Sequence, residues 1–380
     1  MTERSLTDAA AWGFPATLPG TLGITRLADI SGLDCAGIPV VQAVRPLSKS
    51  NAVSQGKGAT LRDAVISAVM ESAESYFAER LERFAVTVAS AESLGISAGL
   101  FDNFADPAVA SKWQDWDLAW VEASSLFDGA TILVPLELVH TAYVVPPPDY
   151  DGVFLTSTTG LAVSTSRAQA LRHGLLECIE RDAIARAMGR HGFLHDRRID
   201  PYTVQSPELQ ALVKMLRERG IVTGLWLAPA AGGLPAVWCH VMEDCEADQA
   251  ILPNPAEGSA ARFNVADAAI AAIHEACQSR LAAISGARDD IGPGSFRNLG
   301  DRARRDAHRR LLAEGRGTVD PRDMAMAPDV DASAQIDWLL WRLRKEGISA
   351  AFAMTLDTGP IAGLHAVKII VPELLPLVDG

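Results

Sequence analysis

The sequence predicts a mixed α/β fold of the α+β kind, with substantial antiparallel strand pairing. Short segments rich in β-branched residues alternate with long segments in which apolar residues recur at helical spacing. The two kinds of segment interleave without a regular βαβ rhythm, which favours antiparallel over parallel sheets. No self-similarity with a period of about 20–50 residues is visible, so the sequence does not indicate a solenoid or a propeller.

The first predicted strand is Ile38–Arg45 (IPVVQAVR), which is rich in β-branched residues. We expect the polar, glycine-containing stretch Pro46–Gly58 after it to be a loop, and the prolines of Val144–Gly152 predict a second loop. Further strands are predicted at Ala130–Leu136, Val153–Thr156, Ala236–Met242, Ile348–Met354 and Ala366–Val371.

A long helix is predicted after Gly58. Thr60, with Asp63 three residues later, forms a start that resembles a capping box, and apolar or small residues recur at helical spacing from Ala64 to Tyr76. We expect a single domain over residues 1–380, with residues 1–37 as an N-terminal extension. Further helices are predicted at Arg167–Gly189, Pro207–Glu218, Val265–Ile284, Leu299–Leu312 and Ser333–Lys345.

Composition excludes several classes of protein. The 380 residues, 48% of them hydrophobic, suffice for a sizeable core, and a net charge of −13 disfavours binding to nucleic acid. The five cysteines never form a C-x-x-C pair, so neither a disulfide framework nor a zinc site is indicated. The sequence shows no signal peptide and no apolar run of about 18 residues. We therefore expect a cytoplasmic protein without a membrane partner.

Three of the predicted helices carry polar residues three positions apart within otherwise apolar segments. Residues three and four apart share one face of a helix, so each set points in one direction. An ionised carboxylate in an apolar setting costs several kcal/mol unless it is paired or binds a cation. The sets are Ser67, Glu71 and Glu74; Glu177 and Glu180; and Glu275 and Gln278.

Two interpretations of these helices are open. Each glutamate pair is a solvated helix face, or the carboxylates converge and hold hard divalent cations such as Mg²⁺, which often binds together with substrate phosphates. The recurrence of the pattern in three helices favours the second interpretation. Lys57, in a loop with Gly56 and Gly58, could contact phosphates, although the loop lacks the P-loop pattern.

Five segments resemble the ordered motifs of YcaO-domain proteins. The match extends over most of the chain, and the combination of S-x-x-x-E-x-x-E with E-x-x-E-R-D-A is specific. The residues from Arg45 to Gly58, together with EACQSR and SGARDD, are similar to the subgroup often encoded beside a TfuA protein. The segments are SQGKG (Ser54–Gly58), SAVMESAES (Ser67–Ser75), STTGLA (Ser157–Ala162), HGLLECIERDA (His173–Ala183) and EACQSRLAAISGARDD (Glu275–Asp290).

The resemblance implies a YcaO-like fold in which antiparallel sheets and helices line a site for ATP and Mg²⁺. It implies that four glutamates hold the metal ions and that a second group of residues contacts the nucleotide or organises its site. The metal group is Glu71, Glu74, Glu177 and Glu180; the nucleotide group is Lys57, Ser67, Arg181, Glu275 and Gln278.

The resemblance also implies the chemistry, in which ATP phosphorylates the oxygen of a peptide backbone amide. The nucleophile decides the product, and the TfuA-like motifs favour a thioamide over an azoline in a ribosomally made peptide. We expect a peptide substrate, a TfuA-like or leader-binding partner protein, and a homodimer. A covalent role for Cys178 or Cys277 is the less favoured interpretation of these two residues, since a free cysteine is often simply buried.

Three positions depart from the family pattern. Thr159 stands where asparagine is frequent, and Thr165 and Gln169 stand where asparagine and glutamate are common. A neutral Gln169 would remove one anionic ligand. These departures favour an alternative, a catalytically weakened nucleotide-binding scaffold or regulator, whereas the intact glutamate pairs favour an enzyme. A kinase-like phosphotransferase is disfavoured because G-x-G-x-x-G, H-R-D and D-F-G are missing from the sequence.

Overall fold

The structure is a computed structural model that describes residues 12–97, 99–110, 112–246, 249–252, 254–287, 302–314, 316–320, 330–357, 361 and 363–377. The helices are α1 (Leu18–Leu22), α2 (Leu61–Ala78), α3 (Arg167–Met188), α4 (Phe193–Asp196), α5 (Pro207–Glu218), α6 (Val265–Ser285), α7 (Arg302–Ala313) and α8 (Ala332–Lys345). Each predicted helix is confirmed; the part of the prediction Leu299–Leu312 before Arg302 lies outside the described residues, as does the end of the SGARDD motif. The capping box is also confirmed, since Thr60 and Asp63 exchange both hydrogen bonds.

Within the described ranges, the strands form three antiparallel sheets. The orders are β1-β2-β3, β11-β10-β9-β8, and β4-β5-β12-β13-β7 with β6 paired to β5. The strands are β1 (Arg26–Asp29), β2 (Val40–Val44), β3 (Val53–Lys57), β4 (Thr87–Ala89), β5 (Leu118–Ser125), β6 (Thr131–Pro135), β7 (Leu161–Ser164), β8 (Arg198–Ile199), β9 (Ile221–Pro229), β10 (Pro235–Glu243), β11 (Ala256–Ala261), β12 (Phe352–Thr355) and β13 (His365–Ile370). The predicted mixed fold with antiparallel sheets is confirmed.

Two strand-level predictions are wrong. The stretch Pro46–Gly58 is only partly a loop, because Val53–Lys57 forms β3 and pairs with β2. The serine, glutamine and glycine of β3 are not typical strand residues, although the strand is largely buried. Val153–Thr156 is not a strand; within it, Phe154 makes a single isolated bridge to Ala105. Several real strands were also missed, among them β1, β7 and β11.

Glycines allow two strands to lie directly against helices. A Cβ atom on Gly56 of β3 would lie 2.0 Å from the backbone nitrogen of Ala68 in α2. A Cβ atom on Gly258 of β11 would lie 2.2 Å from the backbone nitrogen of Ala276 in α6. Only glycine lacks the atom that would collide, so both contacts depend on it.

Helix α3 lies against the largest sheet, and the turn before β7 holds it there. Gly160 has a φ of 79°, a left-handed conformation that favours glycine. Its carbonyl oxygen accepts a hydrogen bond of 2.8 Å from the Ile369 N–H of β13. A Cβ on Gly174 of α3 would lie 2.7 Å from the same carbonyl oxygen, so strand, turn and helix meet at one point.

A buried ion cluster fastens the chain before β2 to α6 and β10. Arg280 of α6 is fully buried and contacts Asp34 at 2.8 Å and Glu243 of β10 at 3.2 Å. These ion pairs raise the pKa of Arg280 above its ordinary range, although burial alone would lower it. One guanidinium therefore neutralises two carboxylates that have little access to solvent.

Replacing Arg280 by methionine should lower the free energy of unfolding by about 3–5 kcal/mol, because two buried carboxylates lose their counter-ion. Urea denaturation measures the loss. The control is Lys214→Met, whose ion pair with Glu218 is exposed and whose loss should cost less than about 1 kcal/mol. A cost below about 1 kcal/mol for Arg280→Met would show that the cluster does not stabilise the fold.

Candidate functional site

Helices α2, α3 and α6 bring the charged residues of the predicted site together in one cluster of interacting groups. The clearest link is the ion pair between Lys57 of β3 and Glu275 of α6, in which the lysine Nζ lies 2.9 Å from Oε2. Burial alone would lower the pKa of Lys57, but the charge of Glu275 outweighs it and the pKa is raised. Lys57 and, after it, Arg181 correspondingly lower the pKa of Glu275 against the effect of burial. Both groups are therefore charged.

Helix α3 contributes Glu177 and Glu180, and each accepts hydrogen bonds from a neighbouring strand or turn. Glu177 Oε2 accepts from the Gly160 N–H at 3.1 Å, and Oε1 lies 3.6 Å from the Arg181 guanidinium. Glu180 is buried, and its oxygens accept from the Ser259 hydroxyl at 2.7 Å and from the Ala261 N–H at 3.2 Å. These contacts fix both carboxylates in position.

Helix α2 contributes Ser67, Glu71 and Glu74. Glu74 is half-buried and accepts a hydrogen bond of 3.3 Å from the Val163 N–H of β7. Glu71 is exposed one helical turn before Glu74, and Ser67 is half-buried one turn earlier. The helix therefore presents the three side chains as a row along one face.

The carboxylates of α2 and α3 repel one another. Burial, followed by the negative charges of Glu177 and Glu71, raises the pKa of Glu74 well above its usual value. Burial raises the pKa of Glu177 despite the nearby Arg181, and it raises the pKa of Glu180 to about 7. Carboxylates in such surroundings favour either protonation or the arrival of positive charge.

Divalent cations fit this cluster if a ligand supplies further oxygens. Within the part of the chain that the structure describes, no three His, Cys, Asp or Glu side chains are arranged to hold an ion by themselves. Mg²⁺ usually binds to one or two carboxylates together with water and phosphate oxygens. The chemistry of Glu74 and Glu177 therefore fits ions that arrive with a nucleotide.

Gln278 joins α6 to β3. Its Nε2 donates a hydrogen bond of 3.0 Å to the Gln55 carbonyl oxygen. Its Oε1 is buried and has no hydrogen-bond partner among the described residues. The geometry makes Gln278 a link between the two elements that carry Lys57 and Glu275.

The three departures from the family pattern lie near the start of α3. The Thr159 hydroxyl accepts a hydrogen bond of 2.7 Å from Ser157 in the turn that precedes Gly160. Thr165 and Gln169 are exposed, and Gln169 Oε1 accepts a hydrogen bond of 2.9 Å from the Ser164 hydroxyl. Gln169 thus has a partner outside the acidic cluster.

Both cysteines that flank the acidic motifs are buried, and burial raises the pKa of Cys178 and of Cys277 to about 12. A thiol of this kind is a poor nucleophile, because the thiolate is the reactive form. The structure thus favours the interpretation of both residues as small buried apolar groups.

A further residue beside the acidic cluster, Lys368 on β13, belongs to none of the sequence motifs. This lysine is buried, and its Nζ donates a hydrogen bond of 2.6 Å to the Ser157 carbonyl oxygen. Burial lowers the pKa of Lys368 to about 8, although Glu177, Cys178 and Glu74 oppose the change. The available signal was a single lysine within the apolar run from Ala366 to Val371.

Comparisons with known proteins agree with this fold. A family described as "YcaO cyclodehydratase, ATP- and Mg²⁺-binding" matches residues 55–375. An "Uncharacterized protein in tfuA 3'region" from Rhizobium leguminosarum bv. trifolii is 29% identical over 388 residues, which cover 100% of this chain and 90% of the relative.

Two solved structures are similar in fold. The structure of YcaO from Methanopyrus kandleri bound with AMPPCP and Mg²⁺ matches with a TM-score of 0.72 at 21% identity, over 97% of this chain and 90% of the other. A heterocyclase in complex with substrate and cofactor matches with a TM-score of 0.75 at 18% identity, over 99% of this chain and 54% of the other. No helix in the described parts of the chain is long and apolar enough to span a membrane. With the family pattern matched from β3 to the C-terminal segment, the chain belongs to the YcaO family, whose cofactors are ATP and Mg²⁺.

Proposed function

We propose that this protein uses ATP and Mg²⁺ to phosphorylate the oxygen of a peptide backbone amide, giving a thioamide or an azoline. The observation that carries the proposal is the proximity of Glu74 and Glu177, two carboxylates from different helices. Their raised pKa values indicate that a nearby cation would stabilise their charged forms. Lys57 and Arg181 lie beside these glutamates, where they pair with Glu275 and Glu177, and they offer cationic groups to phosphates. A site of this composition suits a magnesium nucleotide.

In the proposed site, Glu71, Glu74, Glu177 and Glu180 hold the metal ions. Bound Mg²⁺ would neutralise the charge that develops on the phosphates during transfer. Lys57 and Arg181 orient the phosphates, and Ser67 lies on the same face of α2 as the glutamates. Glu275 keeps Lys57 in place, and Gln278 ties α6 to β3 beside it.

The proposed reaction overcomes two difficulties of an amide, a weakly electrophilic carbon and an oxygen that leaves poorly. A nucleophile adds to the amide carbon, and the amide oxygen takes the γ-phosphoryl group from ATP, which releases ADP. The C–O bond then breaks and inorganic phosphate leaves with that oxygen. The protein positions the reactants, and no covalent bond to a protein side chain is needed.

The nucleophile fixes the product. An external sulfide gives a thioamide, and a Cys, Ser or Thr side chain of the peptide gives an azoline. We favour the thioamide because the motifs resemble the TfuA-associated subgroup and because a relative of similar length is named for its place in a tfuA region. A TfuA-like or leader-binding protein would then act with this chain, which we propose to be a cytoplasmic homodimer.

The second candidate function is a nucleotide-binding scaffold or regulator that has lost catalysis. Gln169 favours it, since this neutral side chain hydrogen-bonds to Ser164 instead of adding a charge to the cluster. Mass spectrometry tests the choice on the peptide encoded beside this protein, incubated with ATP, Mg²⁺, sulfide and the TfuA-like or leader-binding protein, with this protein present or left out. A mass gain of about 16 Da corresponds to exchange of oxygen for sulfur in a thioamide. A loss of about 18 Da corresponds to the loss of water that forms an azoline.

Glu177→Gln, and separately Glu71→Gln, should abolish Mg²⁺-dependent ATP binding, because each removes a negative charge from the metal cluster. The amide that replaces the Glu177 carboxylate keeps the length of the side chain and an oxygen that can accept from Gly160, so the fold should persist. Calorimetry with and without Mg²⁺ measures the affinity. The control is the exposed Glu122→Gln on β5, which should bind as the original protein does. Unchanged affinity in both site variants would contradict the assignment of the metal ligands.

Gln169→Glu should tighten Mg²⁺ binding by about 1–3 kcal/mol, since it restores a charged ligand at the position where the family commonly has glutamate. The gain should shrink when metal is saturating. Titration of Mg²⁺ at a fixed ATP concentration measures it, and Gln249→Glu at an exposed position is the control. Equal or weaker binding by Gln169→Glu would mean that this position lies outside the metal site.

The isolated protein should hydrolyse ATP slowly and modify its peptide only after a TfuA-like or leader-binding protein is added. Docking of the peptide would exclude water and align the amide with the γ-phosphate. A net charge of −13 also suits attraction to a basic partner, which should weaken with salt. Phosphate release and peptide mass are followed in parallel for the single protein and for the mixture. Full-rate modification by the protein alone would contradict this dependence.

A further inference from the structure

A cavity lies beside the acidic cluster, between the end of β13 and the segments that precede β7 and follow β13. Most of its wall is apolar, so it would release ordered water if an apolar group entered. The apolar walls include Phe104, Leu138, Leu155, Leu374 and Leu375.

One polar corner of this cavity contains Lys368, with Ser157 and Thr159 beside it. An ammonium group has three N–H donors. Among the described residues, the hydrogen bond from Lys368 goes to the Ser157 carbonyl oxygen. The lysine therefore has capacity to donate to an oxygen that enters the cavity.

The cavity lies next to the proposed nucleotide site. Cys178 lines the cavity and directly follows Glu177 in α3. Glu177 and Glu74 are close enough to Lys368 to oppose the effect of burial on its pKa. A group held in the cavity would thus lie next to the proposed metal-binding carboxylates.

The charges around the cavity select for a neutral ligand. Glu177 and Glu74 lie near enough to Lys368 to interact with its charge, so they would repel a carboxylate ligand such as a fatty acid. A neutral amide carbonyl accepts a hydrogen bond from an ammonium group without adding a charge. An apolar side chain attached to such an amide matches both the walls and the polar corner.

We propose that this cavity holds an apolar side chain of the substrate peptide, from the residue next to the amide that is modified. Lys368 donates a hydrogen bond to a backbone carbonyl oxygen of the same peptide. The inference rests on the proposed function, because it takes the substrate to be a peptide, and it adds a preference for the residue that flanks the reaction.

The test measures binding of two small probes to the full chain with AMPPCP and Mg²⁺. N-acetyl-leucine N-methylamide carries the side chain, N-acetyl-glycine N-methylamide lacks it, and saturation-transfer NMR gives both dissociation constants. The leucine probe should bind at least about ten-fold more tightly, as expected for burial of a side chain of that size. Equal affinities would overturn the proposal.

Leu155→Trp and Lys368→Met test the cavity walls and the lysine separately. Leu155→Trp should fill the cavity and reduce the preference for the leucine probe to less than about two-fold, whereas Leu47→Trp, at a fully exposed leucine, should keep it. An unchanged preference in Leu155→Trp would overturn the placement of the side chain. This variant tests the cavity even if a change at Lys368 impairs folding.

Lys368→Met keeps an unbranched side chain that is one atom shorter and removes its hydrogen-bond donors. It should weaken both probes by about ten-fold while the ratio between them stays the same, as loss of a charge-assisted hydrogen bond predicts. A purely structural lysine would leave both probe affinities unchanged, which would overturn its role. Probe binding involves no turnover, so failure here is distinct from failure of the proposed function, which an unmodified peptide would show.

Discussion

Repulsion between the clustered carboxylates of α2 and α3 is the constraint on which the rest of the site depends. Glu74 and Glu177 come from different helices and would move apart if nothing held them. Backbone N–H groups of Val163 and Gly160 each donate to one of these carboxylates. Part of the free energy of folding therefore offsets the repulsion between these like charges, as is common where a protein site is arranged for a cationic ligand.

The glycine contacts explain how the helices come close enough. Gly56 and Gly258 let β3 and β11 lie against the backbones of α2 and α6, at places where any side chain would collide. The same two strands carry site contacts, because Lys57 ends β3 and Ser259 of β11 donates to Glu180. Small residues at these crossings thus determine the position of charged residues nearby.

Much of the helical framework could be predicted from the sequence, because helix caps and apolar spacing are local signals. The acidic faces of α2 and α3 were recognisable for the same reason. Strand β3 was missed because its polar and glycine residues are buried by tertiary contacts that local sequence does not report. The pairing of Lys57 with Glu275 joins residues 218 positions apart, and no local pattern indicates such a contact.

That separation has a consequence for the order in which the protein is made. The Gln278 side chain contacts Gln55 across 223 positions, and Ser259 contacts Glu180 across 79. Until α6 has emerged, the nascent chain lacks Glu275, the counter-ion of Lys57, and Gln278, the partner of Gln55. The ribosome must therefore release nearly three quarters of the chain, up to about Gln278 of 380 residues, before these contacts can form. Contacts this distant in sequence form slowly, because their loop-closure entropy is lost before the contacts stabilise the chain.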